Sequence, residues 1–141
     1  MKKTILFFSA MMLVGSLFAQ TKKSTVGSTI TASMERGQQI YQKSCLACHQ
    51  ADGSGVPNLN PPLIQTKWVL GDKNTLIQMI LKGSQGQVEI DGDTFHNTMP
   101  AQPHFTDQQI ADVLTYVRNS FGNKAKAVTP TEVKAVRAKV K

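Results

Sequence analysis

Apolar residues recur at helical spacing in four stretches of this 141-residue chain, which predicts a mainly helical protein. In the first stretch, Ser33 is placed to cap a helix over Glu35–Ser44. The face that this helix would bury carries Gly37, Ile40, Tyr41 and Ser44.

Two more helices are marked by clear start and stop signals. Asp72 can cap one that Gly83 ends, and Thr106 with Gln109 forms a capping box for another that Gly122 can end. Their apolar positions are Leu76, Ile77, Met79, Ile80 and Leu81 in the first, and Ile110, Val113, Leu114, Val117 and Phe121 in the second.

The C-terminal segment repeats this pattern on a smaller scale. Thr129 and Glu132 form a second capping box, and Pro130 suits the first helical position between them. Three valines line one side of this predicted helix: Val133, Val136 and Val140.

Between the second and third helices the period changes from helical to alternating. Val88 and Ile90 alternate with polar residues, and Asp91-Gly92 follows as a strong hairpin signal. We predict a short β-hairpin or a long loop here, with its acidic side chains on the surface.

The N-terminus has the pattern of a secretory signal peptide over residues 1–19. Lys2 and Lys3 precede a mostly apolar run over Ile5–Phe18, and Ala19 offers a cleavage site. An uncleaved membrane anchor is the alternative, but the run is shorter than a spanning helix requires. Residues 20–33 are rich in Ser, Thr, Lys and Gly, which predicts a flexible leader before the domain over residues 34–122.

The main candidate for chemistry is the motif Cys45-Leu46-Ala47-Cys48-His49, which has the C-x-x-C-H spacing of c-type haem attachment. Each thiol can add to one vinyl group of the porphyrin, and His49 can offer a nitrogen to the iron. A thioredoxin-like dithiol is one alternative, but it needs a βαβ context that the flanking sequence lacks. A zinc site would need about four ligands, and only the distant His96 or His104 could complete it.

Met99-Pro100 follows that motif by about fifty residues and supplies a second candidate iron ligand. A thioether sulfur suits ferrous iron and fills the sixth coordination position. The neighbouring His96 and His104 are rival ligands. Met79 is another, although it lies in a helical apolar stripe where methionine usually packs.

With these motifs and an amphipathic helix at each end, residues 35–122 resemble the monohaem class I cytochromes c of bacteria. The resemblance implies an all-α cytochrome c fold, in which the N- and C-terminal helices cross over one covalently bound haem. It implies that Gly37 and Tyr41 lie at that crossing. It also implies that a proline carbonyl, from Pro61 or Pro62, accepts a hydrogen bond from the ligand His49.

Trp68 is the only tryptophan and lies in a short apolar cluster. Its indole could pack at the haem edge and donate its N–H to a propionate, or it could be an ordinary core residue. The sequence leaves both interpretations open.

The net charge of +7 is unevenly distributed. Residues 20–117 have a balance of −1, whereas residues 118–141 have a balance of +6. Residues 123–141 are therefore predicted to form a basic C-terminal tail, which is helical in part. Nothing in the sequence indicates nucleic-acid binding. The tail could attract an acidic partner, or its valines could pack on the domain.

From the resemblance we expect an exported, periplasmic electron carrier rather than an enzyme. Its expected partners are redox proteins, with a dehydrogenase or quinol-oxidising complex as donor and an oxidase or reductase as acceptor. We expect a monomer without a membrane span once the signal peptide is removed. An iron site left open for peroxide or gas chemistry is the alternative.

Overall fold

The computed structural model describes residues 25–140, and the side chains from residue 29 onward. The predicted signal peptide lies outside the described residues. The helices are α1 (Thr25–Ser44), α2 (Leu46–His49), α3 (Lys67–Leu70), α4 (Lys73–Lys82), α5 (Asp107–Asn119) and α6 (Pro130–Arg137). The strands are β1 (Val88–Ile90) and β2 (Asp93–Phe95). Within this part of the chain, no helix is both long and apolar enough to cross a bilayer.

The first and last helices of the predicted domain, α1 and α5, form the main helix–helix contact of the fold. A Cβ atom at Gly37 would lie 2.1 Å from the Asp112 carbonyl oxygen and 2.7 Å from Cβ of Tyr116. Only glycine therefore fits this point of contact without moving the helices apart. The predicted crossing, with Gly37 at its centre, is confirmed.

Helix α1 begins earlier than predicted. It extends back to Thr25, so the part of the predicted flexible leader from residue 25 to residue 33 is helical. Ser33 does not cap the helix, because its hydroxyl donates 2.6 Å to Oδ1 of Asp112 on α5. Arg36, one turn later, bonds both oxygens of the same carboxylate, at 2.7 and 2.8 Å. These contacts with α5 stabilise helical structure at Ser33 and Arg36. Helix α1 therefore continues on the N-terminal side of the predicted cap.

The predicted hairpin is confirmed. β1 and β2 pair antiparallel, with Val88 opposite Phe95 and Ile90 opposite Asp93. Asp91 and Gly92 form the two-residue turn, and both have positive φ, at 53° and 95°. Such turns match the twist of the two strands, and glycine accepts this backbone conformation at little cost.

The predicted caps of α4 and α5 are present. The Asp72 carboxylate accepts from the backbone N–H groups of Asn74 and Thr75, and Thr106 and Gln109 form the capping box. Helix α5 nevertheless ends at Asn119, before the predicted stop at Gly122. Its last carbonyls bond elsewhere: Asn123 Nδ2 donates to Val117 O at 2.7 Å.

The C-terminal segment packs on the domain. Helix α6 has both the predicted capping box and the proline in its first turn, and it contacts α4 and α5. Val133 and Val136 are buried in the main hydrophobic core. Glu132 pairs with Lys73 at the start of α4. Of the two roles considered for this segment, these contacts support the structural one.

Arg118 contributes to the +6 balance of residues 118–141, but it lies inside the fold. Its side chain belongs to α5, and the residue is only 3% exposed. Its Nη1 donates to Val69 O at 2.6 Å and to Gly71 O at 3.1 Å, and its Nε donates to Lys126 O at 2.9 Å. This guanidinium therefore joins α3, α5 and the C-terminal segment and is not a solvated docking charge.

Candidate haem-binding site

A large cavity opens between the helices, with about 1240 Å³ of space including its mouth. Its walls are mainly apolar and come from α1, α4, α5, the hairpin and the loops between them. Every predicted site residue lines it: Cys45, Cys48, His49, Pro61, Pro62, Trp68 and Met99. Residues more than fifty positions apart in sequence therefore meet in one place.

The two cysteines are presented by the junction of α1 and α2. The backbone N–H of Cys45 bonds to Tyr41 O, and that of His49 bonds to Cys45 O, both at 2.9 Å. Neither cysteine is in a disulfide. Burial, with the nearby Cys48, raises the pKa of the Cys45 thiol to about 11.

His49 is oriented by a proline carbonyl. Its Nδ1 lies 2.9 Å from Pro61 O, and because a carbonyl only accepts, Nδ1 must carry the proton. Nε2 is then the nitrogen left to bind a metal. Burial lowers the pKa of His49, while the bond to Pro61 opposes that shift. Pro62 lines the cavity but does not make this bond.

Gly55 makes room for that carbonyl. A Cβ atom there would lie 2.7 Å from Pro61 O, and the residue has φ of +68°. Its N–H also donates to His49 O at 3.1 Å. The sequence of residues 50–57, which is rich in Gly, Asp and Ser, predicts only a turn-rich loop here.

Met99 is held by its backbone on the other side of the cavity. Its N–H donates to Ser84 O at 3.1 Å, and its carbonyl accepts from the Ser84 N–H at 3.0 Å. A Cβ atom at Gly83 would lie 2.3 Å from the Met99 carbonyl oxygen. The sequence predicted Gly83 only as a helix stop, and this pairing with the Met99 loop was missed.

The rival ligands separate into two groups. His96 and His104 are exposed and do not line the cavity. Met79 does line it, from α4, and is half-buried. Position in the cavity therefore leaves two methionines, Met79 and Met99, as candidate ligands.

The two sides of the cavity are joined by hydrogen bonds that the sequence did not indicate. Asn97 Nδ2 donates to Asn60 Oδ1 at 2.9 Å, and its backbone N–H donates to Leu59 O at 3.0 Å. The His96 N–H donates to Asn58 O at 3.1 Å. These hydrogen bonds therefore fix the position of the loop that carries Pro61 relative to the loop that carries Met99.

Trp68 lies in α3 and lines the cavity, and it is not part of the main core cluster. Thr66 caps this short helix, and Arg118 bonds the carbonyls of Val69 and Gly71 on its far side. The residue is half-buried.

Tyr41 lines the cavity from α1, one helical turn before Cys45. The residue is 1% exposed, and its hydroxyl donates to Gln50 O at 2.6 Å. Its ring centroid lies 5.4 Å from that of Tyr116 and 5.3 Å from that of Phe121. Phe121 reaches this position from a left-handed backbone conformation, with φ of 57°, just after α5. The sequence had assigned Tyr41 only to the helix crossing.

These residues fit covalent haem better than a zinc ion. Two thiols and an imidazole with one free nitrogen face an apolar cavity of ligand size. Within residues 25–140, which include every cysteine and histidine, no three His, Cys, Asp or Glu side chains form a metal cluster.

Comparison with known proteins agrees with this site. The family model for cytochrome c matches residues 34–121. The chain belongs to the cytochrome c family. Cytochrome c-552 of Thermus thermophilus is 35% identical over 112 residues, which cover 73% of this chain and 85% of that protein. This cytochrome c is therefore of the bacterial monohaem class I type, its cofactor is covalently attached haem c, and its function is haem-based electron transfer.

Larger proteins also contain this domain. The gluconate 2-dehydrogenase cytochrome c subunit of Pantoea cypripedii is 37% identical over 107 residues, which cover only 24% of its length. The cbb3-type cytochrome c oxidase subunit CcoP of Azospirillum brasilense is 36% identical over 104 residues, or 32% of its length. Domains similar to this cytochrome c therefore occur in proteins named for both a dehydrogenase and an oxidase.

Proposed function

We propose that this cytochrome c is a periplasmic electron carrier whose haem is attached by Cys45 and Cys48 and whose iron is bound by His49 and Met99. The observation that carries the proposal is the hydrogen bond of 2.9 Å between His49 Nδ1 and Pro61 O, in a cavity that Met99 also lines. Haem bound there supplies a one-electron Fe(II)/Fe(III) couple.

The Pro61 carbonyl has a defined role in this proposal. By accepting a hydrogen bond from the Nδ1–H of His49, it holds one tautomer and one ring orientation, and it makes Nε2 a stronger electron-pair donor to the metal. Pro61 has no backbone N–H of its own.

Met99 gives the second proposed ligand. Its sulfur is neutral and soft, which favours the ferrous state and raises the reduction potential. The paired backbone at Ser84 keeps this residue at the cavity in both oxidation states. With the sixth position filled, small substrates are excluded, and for this reason we propose a carrier and not an enzyme.

The proposed partners are redox proteins of the periplasm. The dehydrogenase and oxidase subunits among the relatives support a dehydrogenase or quinol-oxidising complex as donor and an oxidase or reductase as acceptor. We propose that the protein is a monomer. We also propose that it docks weakly with its partners, because a carrier must leave each partner quickly. The signal-like N-terminus supports export.

Two methionine variants test the ligand assignment. Met99→Ala should remove the far-red sulfur–iron band of the ferric protein, lower the potential and allow peroxidase-like side activity, because the sixth position is left to water. Met79→Ala is the matched control: it should keep the band and lose about 2 kcal/mol of stability at this half-buried position. If Met79→Ala removes the band while Met99→Ala keeps it, the assignment is wrong.

A further inference from the structure

We infer that Arg137 in α6 is a positioning residue for Met99, a role that rests on the proposed ligation of the iron by Met99. Arg137 lies beyond residues 34–121, the part of the chain that the family model matches. Its guanidinium bonds the segment that connects Met99 to helix α5. Helix α6 would therefore help to keep the proposed sixth ligand in place.

Arg137 makes two hydrogen bonds to this connecting segment and one to the first residue of α5. Its Nη1 donates to Pro103 O at 3.1 Å and its Nη2 to Phe105 O at 2.6 Å. Its Nε donates to Oδ1 of Asp107 at 2.7 Å, the first residue of α5. A guanidinium presents these donors in a fixed planar arrangement, so one side chain can hold three acceptors within five residues.

The connecting segment has few other backbone contacts. Residues 100–106 form neither helix nor strand, and Pro100 and Pro103 cannot donate backbone hydrogen bonds. The Gln102 N–H bonds to Ile80 O at 2.8 Å, close to the paired Met99. Beyond Gln102, Arg137 joins two carbonyls of this segment to α6, those of Pro103 and Phe105. The Thr106 carbonyl accepts from the Ile110 N–H in the first turn of α5.

Helix α6 is itself anchored in the hydrophobic core, so it can hold Arg137 in place. Val133 is fully buried and Val136 is 5% exposed, and both belong to the main core cluster. Phe105, whose carbonyl Arg137 binds, packs on the same core and lines the cavity. Releasing Arg137 should therefore let the Met99 loop open locally more often while the helices stay folded.

Imidazole competition on the intact holoprotein tests this role. Imidazole can bind ferric iron only when Met99 leaves it, so its apparent affinity reports how often the loop opens. The variants are Arg137→Met and, as the control, Lys134→Met, which removes the same charge from an exposed position of the same helix. The far-red band is followed at a temperature at which circular dichroism shows every variant folded.

We expect Arg137→Met to reach half-loss of the band at about tenfold less imidazole than the wild type, and Lys134→Met to match the wild type. Equal affinities within about twofold for the two variants would overturn the role of Arg137 while Met99 ligation stands. A wild-type protein without the band would overturn Met99 ligation, and this role with it. If Arg137→Met does not hold haem, Arg137→Gln replaces it, with the same two outcomes.

Discussion

At the scale of single residues, the site depends on backbone carbonyls as well as on the side chains that face the cavity. Pro61 O orients the imidazole of His49, and Gln50 O accepts a hydrogen bond from the hydroxyl of Tyr41. Ser84 binds both backbone groups of Met99. The side chains proposed for chemistry are therefore positioned by neighbours whose own side chains have no chemical role.

The cysteines give a direct prediction at this scale. Cys45→Ala or Cys48→Ala should leave one thioether bond and shift the reduced spectrum, and the double variant should retain no covalent haem. Extraction of each purified variant with acid–acetone measures this. Complete retention of haem by the double variant would show that attachment lies elsewhere.

At the scale of elements, Asp112 joins α1 to α5. It is 1% exposed and accepts from Ser33, Arg36 and Gln108. Burial raises the pKa of this carboxyl, but the bonds from Arg36, Ser33 and Gln108 outweigh that effect, and the pKa is lowered overall. The network therefore stabilises the ionised form of Asp112.

A lowered folded-state pKa means that Asp112 contributes stability above its unfolded value, near pH 4, and loses it as the pH falls through the folded value. We expect Asp112→Asn to lower the free energy of unfolding by about 2 kcal/mol at pH 7, a moderate value because Arg36 is half-exposed. The difference from the wild type should shrink below about pH 4. Urea unfolding at several pH values measures it, and a difference that does not vary with pH would contradict the ionised network.

Local sequence signals predicted several elements because each depends on neighbours in the chain. Asp72 caps its own helix, the capping boxes of α5 and α6 span four residues each, and Asp91-Gly92 turns the chain within one hairpin. The haem motif is equally local, since Cys45, Cys48 and His49 lie within five residues.

What the sequence did not reveal depends on residues far apart in the chain. The pairing of Ser84 with Met99 and the bonds of Arg118 to Val69 and Gly71 join different segments. The early start of α1 has the same origin, because Ser33 bonds to Asp112 seventy-nine residues later. No helical or alternating period encodes such pairs, so they became visible only in the fold.

At the scale of the whole molecule, the C-terminal segment completes the core instead of extending from it. Val128, Val133 and Val136 are buried, and Thr115 Oγ1 accepts from the Val128 N–H at 3.0 Å. Lys124, Lys126, Lys134 and Lys139 remain exposed, so the segment still carries positive charge on its outer side.

Truncation and charge removal separate these two properties. A chain ending after Lys124 should lose roughly 3 kcal/mol of stability or more, because three buried valines are removed. The control keeps the full chain and changes the four exposed lysines to glutamine, which should leave the melting temperature nearly unchanged. An unchanged melting temperature for the truncated chain, with slower electron transfer at low salt only, would contradict the structural role and favour steering.

The central claim is that both axial positions of the haem c iron are occupied, one by His49 and the other by Met99. The protein would then carry electrons and do no other chemistry. The absorption spectrum of the wild-type ferric protein, matured with the haem-attachment machinery, tests this most directly. We predict a low-spin spectrum with a sulfur–iron band in the far red. A high-spin spectrum without that band would contradict the claim and indicate an open iron site suited to an enzyme or a sensor.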